Sequence, residues 1–224
     1  MTLHMAMGIV LGAVLWMDRV FMFQVMVSRP LVMAFLIGLA MGDIKTGMLV
    51  GASYELLWLN APPVGAYLPN DESFCTAVAV PAAVFAGNFM AVPAAAGLSI
   101  LLGMPFSMAG RSLDMHLRTI NEKLIQPKPF PGEPAVRSAM RRALVRSFLY
   151  ALASIGLCTL IVTAATFLMK GYLPAFIHVP LTYVPFICMI TGLSALVTKD
   201  LPRRYPAGML VLGIAVAYFM IWIL

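Results

Sequence analysis

Apolar residues run along this chain in blocks, and the block lengths decide how to read them. Residues 3–17 form a first apolar helix, with Gly8 and Gly12 spaced so that another helix can approach closely. Asp18 and Arg19 end it, residues 20–27 follow, and Ser28-Arg29-Pro30 opens the next block. Ser28 reads as an N-cap, and Pro30 suits a first helical turn. Residues 31–42 and 47–59 then flank a polar tip, Asp43-Ile44-Lys45-Thr46. These runs hold 12 and 13 residues. As helices they extend roughly 18–20 Å, short of a bilayer core of about 30 Å. The pattern predicts a re-entrant helical hairpin over residues 30–59, or one arm of a broken helix pair. Gly38/Gly42 and Gly47/Gly51 supply small faces for tight packing.

Residues 60–70, NAPPVGAYLPN, cannot form a regular helix, because Pro62, Pro63 and Pro69 lack backbone donors and Gly65 adds freedom. Such backbone at membrane depth is tolerated only when buried in protein or lining a cavity. Asn70 or Asp71 then caps a helix over residues 73–90, with Asp71 and Glu72 near its positive end. Residues 91–109 follow, interrupted by Pro93, Gly97, Gly103 and Pro105. Residues 110–146 read as a basic loop, amphipathic around 111–125 and broken by QPKPFPGEP. Three C-terminal spans lie within residues 148–224: 148–169, 180–197 and 205–224. Tyr218 and Trp222 fit an interfacial aromatic belt.

Composition agrees with these lengths. The chain is 62% hydrophobic and 11% charged, against about 25% charged in soluble domains. The mean hydropathy is +0.93. The expected class is therefore an all-α integral membrane protein with multiple spans and re-entrant or broken helices. We expect one membrane domain over residues 1–224, with the first apolar block a retained helix and not a cleaved leader. The net charge of +6 is unevenly placed. Residues 111–146 carry eight Lys/Arg and three Asp/Glu, whereas residues 1–110 carry three and five. That excess in one inter-helix loop marks a cytoplasmic side and gives no reason to invoke nucleic acid. Residues 137–146 are expected to meet lipid phosphates, with an acidic protein surface as the sharper alternative.

No local catalytic constellation is visible. Cys75, Cys158 and Cys188 lie in apolar runs without metal-ligand or disulfide spacing. His4, His116 and His178 are far apart, and no G-K-[ST] triplet offers a phosphate loop. We expect no metal and no cofactor.

The opening blocks carry a resemblance. Arg29-Pro30-Leu31, Gly42-Asp43-Ile44-Lys45-Thr46-Gly47, Gly51-Ala52-Ser53-Tyr54-Glu55-Leu56, Gly65 and Asp71 resemble the IIC subunit of the mannose/fructose/sorbose family of the bacterial phosphotransferase system. The likeness is strong over residues 18–90 and rests on hydropathy and length afterwards. It implies a sugar-conducting permease subunit in the bacterial cytoplasmic (inner) membrane, translocating a hexose or amino sugar. It implies a IID membrane partner, IIA and IIB phosphocarriers that phosphorylate the sugar, and trimers of IIC–IID pairs. Pro63 stands where mannose-type members often carry Asn, and Pro69-Asn70-Asp71 replaces their Ala-Pro-Asp or Pro-Pro-Asp. Sugar preference is expected to differ there.

A sugar needs acceptors for paired hydroxyls and flat apolar faces. Glu55 is the leading candidate, since a carboxylate in an apolar helix is costly unless partnered or functional. Its bland alternative is an internal pair with Lys45 or Arg29. Asp71 and Glu72 are further sugar candidates that can equally be capping acids, and Asn60 and Asn70 flank the unwound stretch. Trp58, Tyr54 and Tyr67 offer stacking faces or simple packing. Arg29, Pro30, Asp43, Lys45 and Gly65 are expected to serve structure or gating, and Asp18 and Gln24 are weaker candidates. Two rival functions stand beside the permease subunit: a self-sufficient ion-coupled transporter using Glu55 and Asp71, and a non-transporting membrane scaffold.

Overall fold

The computed structural model describes residues 2–59, 69–124, 132–172 and 174–198. Among these the chain forms helices and no strand: α1 Thr2–Met17, α2 Pro30–Met41, α3 Ile44–Trp58, α4 Glu72–Ala86, α5 Val92–Gly103, α6 Phe106–Glu122, α7 Glu133–Lys170 and α8 Ala175–Thr198. α7 and the Phe176–Val197 part of α8 are long and apolar enough to cross a membrane. α5 and α6 pass the same test jointly but bend by 46° at their junction. Pro105 sits at that break, where its ring and missing N–H stop the α5 ladder from continuing.

The hairpin of short helices forms as the block lengths predict. α2 and α3 have 12 and 15 residues. At about 1.5 Å per residue, neither crosses a core of about 30 Å. The chain reverses at Gly42, whose φ of 81° is left-handed backbone that glycine adopts without penalty. Gly42 has open space around it, so it serves the turn and not the packing face expected of it. The packing falls to Gly38, Gly47 and Gly51. A Cβ on Gly47 would lie 2.5 Å from the Ala34 carbonyl oxygen, and one on Gly51 2.8 Å from that of Pro30. The two backbones therefore touch directly.

α4 is the centre of the assembly. Ser73 through Ala83 are buried without interruption, and α1, α2, α3, α5 and α7 all pack on it. Alanines at 77, 79, 82 and 83 make its surface thin enough for that many neighbours. α1 approaches through the predicted glycines: Gly8 faces Met41 and Pro81, and Gly12 faces Ala77 and Ile37. α8 closes onto α3 and α5 at Gly192 and Gly97, which lie against the backbones of Leu56 and Leu181. The outer faces of α7 and α8 stay apolar and uncovered, as at Leu157, Leu160, Leu168 and Ile190, each 58–64% exposed. Bare apolar stripes of that length suit lipid as the solvent.

Two local expectations differ from what forms. Ser28 does not cap α2; Arg29 takes the N-cap position without a side-chain bond, and the Ser28 hydroxyl donates to Asp18 instead. The basic stretch 110–146 is helical on both sides of residues 125–131. α6 covers its first part, and α7 starts at Glu133, well before the span of residues 148–169 that it contains. Pro134 in the first turn and the Glu133–Arg137 pair at 3.1 Å favour that early start. The expected span at 205–224 and its aromatic belt lie outside the described residues.

A Gly51→Val substitution should separate α2 from α3 and cost about 1–3 kcal/mol or more through overpacking. Gly42→Asn should be milder, because asparagine tolerates left-handed backbone. Thermal unfolding of the purified protein in detergent reads the order; equal losses would contradict the packing role.

Candidate functional site

Short helices inside an apolar molecule expose N–H groups that water cannot reach. Here acidic side chains meet them. Asp43 caps α3 by accepting from the Thr46 N–H at 3.0 Å. Asp71 caps α4 by accepting from the Phe74 N–H at 2.8 Å. α2 has no cap of its own, and its Leu31 N–H donates to Glu55 of α3 at 3.4 Å. Asp18 does similar work in the 18–29 loop, accepting from the Val25 N–H at 2.9 Å and the Ser28 N–H at 3.3 Å. Phe23, Gln24 and Met26 in that loop have positive φ, so the anchored carboxylate holds an otherwise unfavourable path.

Asp18, Glu55 and Asp71 converge at one end of the bundle, where α1 ends and α2 and α4 begin. The Asp71 carboxylate is 1% exposed and pairs with Arg19. It also accepts from Trp16 Nε1 at 2.8 Å, and its own N–H donates to the Ser107 carbonyl at 2.9 Å. Asp71 thus ties together α1, α4 and the start of α6. Arg19 reaches Glu72 as well, at 3.8 Å. Arg29 pairs with Glu55 at 3.5 Å. A cleft of about 140 Å³ lies between the pairs, lined by Asp18, Arg19, Gln24, Met26, Ser28, Arg29, Glu72 and Ser73. Guanidinium donors and carboxylate acceptors side by side match the mixed donor–acceptor character of a polyol.

The sequence candidates separate accordingly. Arg29, Pro30, Glu55, Asp71 and Glu72 come together at this end. Trp58, half-buried, packs beside them with its ring 5.2 Å from that of Tyr54 and tilted by 51°. Tyr54 is not available for stacking on a ligand: it is fully buried and its hydroxyl donates to the Ile100 carbonyl at 2.8 Å. Asn70 is half-buried next to Asp71. Of the two partners considered for Glu55, Arg29 is the one in place. Lys45 lies at the other end of α3, ten residues away, or about 15 Å along the helix. Asp43 sits with it at the hairpin tip, beside a second groove of about 380 Å³ that includes His4 and Asn88. Asn60, Gly65 and Tyr67 lie outside the described residues. Sequence reasoning passed over Arg19 and Trp16. Their only signal is position: a cation and an indole donor at the end of an apolar helix, each requiring a buried acceptor.

The fold is that of a helical membrane protein with a glycine-packed hairpin of short helices and an ion-paired polar cleft at the hairpin's open end. The family model described as PTS system sorbose-specific IIC component matches residues 2–222, and the chain belongs to that family. The mannose-specific EIIC component of Escherichia coli strain K12 is 32% identical over 92 residues, 41% of this chain and 32% of that protein. The fructose permease IIC component of Bacillus subtilis strain 168 is 30% identical over the same length and the same shares. The chain thus spans about a third of these relatives in the matched stretches. Two solved structures share the fold. One, described only as a membrane protein, has a TM-score of 0.62 at 20% identity, covering 98% of this chain and 87% of that chain. The other, the mannose transporter ManYZ in complex with microcin E492, has a TM-score of 0.54 at 21% identity with the same coverage.

Removing Arg19 leaves the buried Asp71 carboxylate without its cation, so Arg19→Gln should cost about 3–5 kcal/mol. Trp16→Phe removes one charge-assisted bond and should cost less, about 1.5–3 kcal/mol. The Arg19→Gln/Asp71→Asn double variant should recover part of the first loss. Strict additivity in thermal unfolding would show that the pair is not coupled.

Proposed function

We propose that this chain is the sugar-conducting IIC subunit of a phosphoenolpyruvate-dependent sugar phosphotransferase system, carrying a hexose or amino sugar across the bacterial cytoplasmic (inner) membrane. The observation that carries the reading is the family match over residues 2–222, in a chain whose cleft is lined by Asp18 and Glu72 and by the two arginines that pair with Asp71 and Glu55. In this reading the chain is one membrane domain. It works with a IID membrane subunit in trimers of IIC–IID pairs, and a separate IIB phosphocarrier, charged by IIA, phosphorylates the sugar. Its own role is to bind and pass the substrate.

Glu55, Asp71 and Glu72 are the proposed hydroxyl acceptors, with Asn60 and Asn70 as amide partners and Trp58 and Tyr67 as apolar faces. Arg19 and Arg29 pair with the acids and orient them between substrates. A hydroxyl that enters the cleft exchanges with these guanidinium bonds and, being neutral, leaves the charge of the site unchanged. Pro30, Asp43, Lys45 and Gly65 set the hairpin and the loop around it. The chemistry favours neutral polyols, because the cationic and anionic groups here already pair with one another.

In cells that supply IIA, IIB and IID, Glu55→Gln should reduce uptake of labelled sugar at least about tenfold if the carboxylate contact contributes 1.4 kcal/mol or more. Membrane abundance should stay unchanged. Full-rate uptake of unphosphorylated sugar by this chain alone, or vesicle transport driven by a pH gradient alone, would overturn the reading in favour of a self-sufficient transporter. Unchanged growth on sugar with both Glu55→Gln and Asp71→Asn would favour a scaffold.

A further inference from the structure

The basic part of α7 has a groove that sugar passage does not use. It has a volume of about 430 Å³ and is lined by Arg141, Arg142, Val145, Arg146, Leu149 and Tyr150. We propose that it binds the headgroup of an anionic phospholipid, with the phosphate held by Arg141 and Arg142 and an acyl chain lying along Val145 and Leu149.

Depth argues for a lipid. The apolar part of α7 begins at Phe148, so Arg146 sits two residues before it and Arg141 seven. At about 1.5 Å per residue these positions lie about 3 and 10 Å beyond the hydrocarbon edge. The headgroup layer is about 5–8 Å thick on each side, and long arginine side chains reach across it. The site therefore brackets the phosphate plane.

Availability of charge argues the same way. Arg137 is engaged by Glu133 at 3.1 Å, and Arg118 of α6 by Asp114 at 2.9 Å. Arg146 is pinned by donating to the Ile120 carbonyl at 3.3 Å, which joins α6 to the groove wall. Arg142 donates Nε to the Ser138 carbonyl at 3.4 Å, leaving its other donors for a ligand. Among the described residues Arg141 has no acidic partner within salt-bridge distance. Val145 and Leu149 are 54% and 55% exposed, and they lead along the helix to the exposed Leu157 and Leu160. A soluble acidic protein offers nothing to cover that stripe, whereas an acyl chain does. Tyr150, with its ring 6.1 Å from that of His116, closes the groove at the water–lipid boundary, where amphipathic rings settle.

The test is native mass spectrometry of the full-length chain in detergent, titrated with phosphatidylglycerol or phosphatidylcholine. The proposal expects tighter binding of phosphatidylglycerol, undisturbed by added inorganic phosphate. Arg141→Gln/Arg142→Gln should weaken it about thirtyfold, from about 1 kcal/mol per basic residue. Arg141→Lys/Arg142→Lys should stay within a few-fold of the parent, and Arg137→Gln should change nothing. Equal binding of the two lipids by the parent overturns the proposal even if no variant can be purified. So does displacement by inorganic phosphate, which would mark a free-anion site. Unchanged lipid binding in the Gln pair, with loss of binding to purified IIB, would reassign the groove to protein docking.

Discussion

Helix ends that water cannot reach must be satisfied by the protein, and most of this architecture follows from that constraint. Cutting an apolar chain into helices of 12 to 16 residues creates helix N-termini within the apolar bundle. Each buried N–H without a partner is expensive there. The chain places a carboxylate at α3 through Asp43, at α4 through Asp71, and at α2 through Glu55 donated from the neighbouring helix. Glu55 therefore does more than decorate an apolar face. It fastens the open end of the hairpin, while Gly42 shapes the closed end.

Placing acids at helix ends has a consequence for charge. A carboxylate in apolar surroundings draws a cation, and Arg19 and Arg29 answer Asp71, Glu72 and Glu55. Because α1, α2 and α4 have their ends at the same level, the capping groups fall close together, and a small polar cleft is left between them. The proposed sugar site is thus a by-product of how broken helices are terminated. Groups strong enough to satisfy backbone donors are also the groups that grip hydroxyls. The two roles compete for the same oxygens, which gives binding a direct route to the hairpin's geometry.

α7 joins this interior to the membrane surface. It is one continuous helix of 38 residues, about 57 Å long, so it extends well beyond any bilayer core. Its apolar portion packs on α1 and α4, and its basic portion runs alongside α6. In the proposed lipid site the arginines at that boundary would fix the depth of the helix, and through α4 the depth of the candidate site.

Much of this was legible in the chain. Block lengths near 12 residues and glycines bracketing Asp43 point to a hairpin of short helices, because they act through local backbone chemistry. Candidate acids were legible because a charge in an apolar run stands out. Partners were not. That Glu55 would meet Arg29 and not Lys45, that Tyr54 would be taken up by the Ile100 carbonyl, and that Arg19 and Trp16 would converge on Asp71 depends on which helix ends share a level. Those contacts join residues 26 to 55 positions apart, and no periodicity within one segment encodes them. Local sequence determined the short helices, the turn at Gly42 and the acids that cap α3 and α4; packing around α4 decided which acids and cations would meet, because only the assembled bundle sets the distances between separate helix ends.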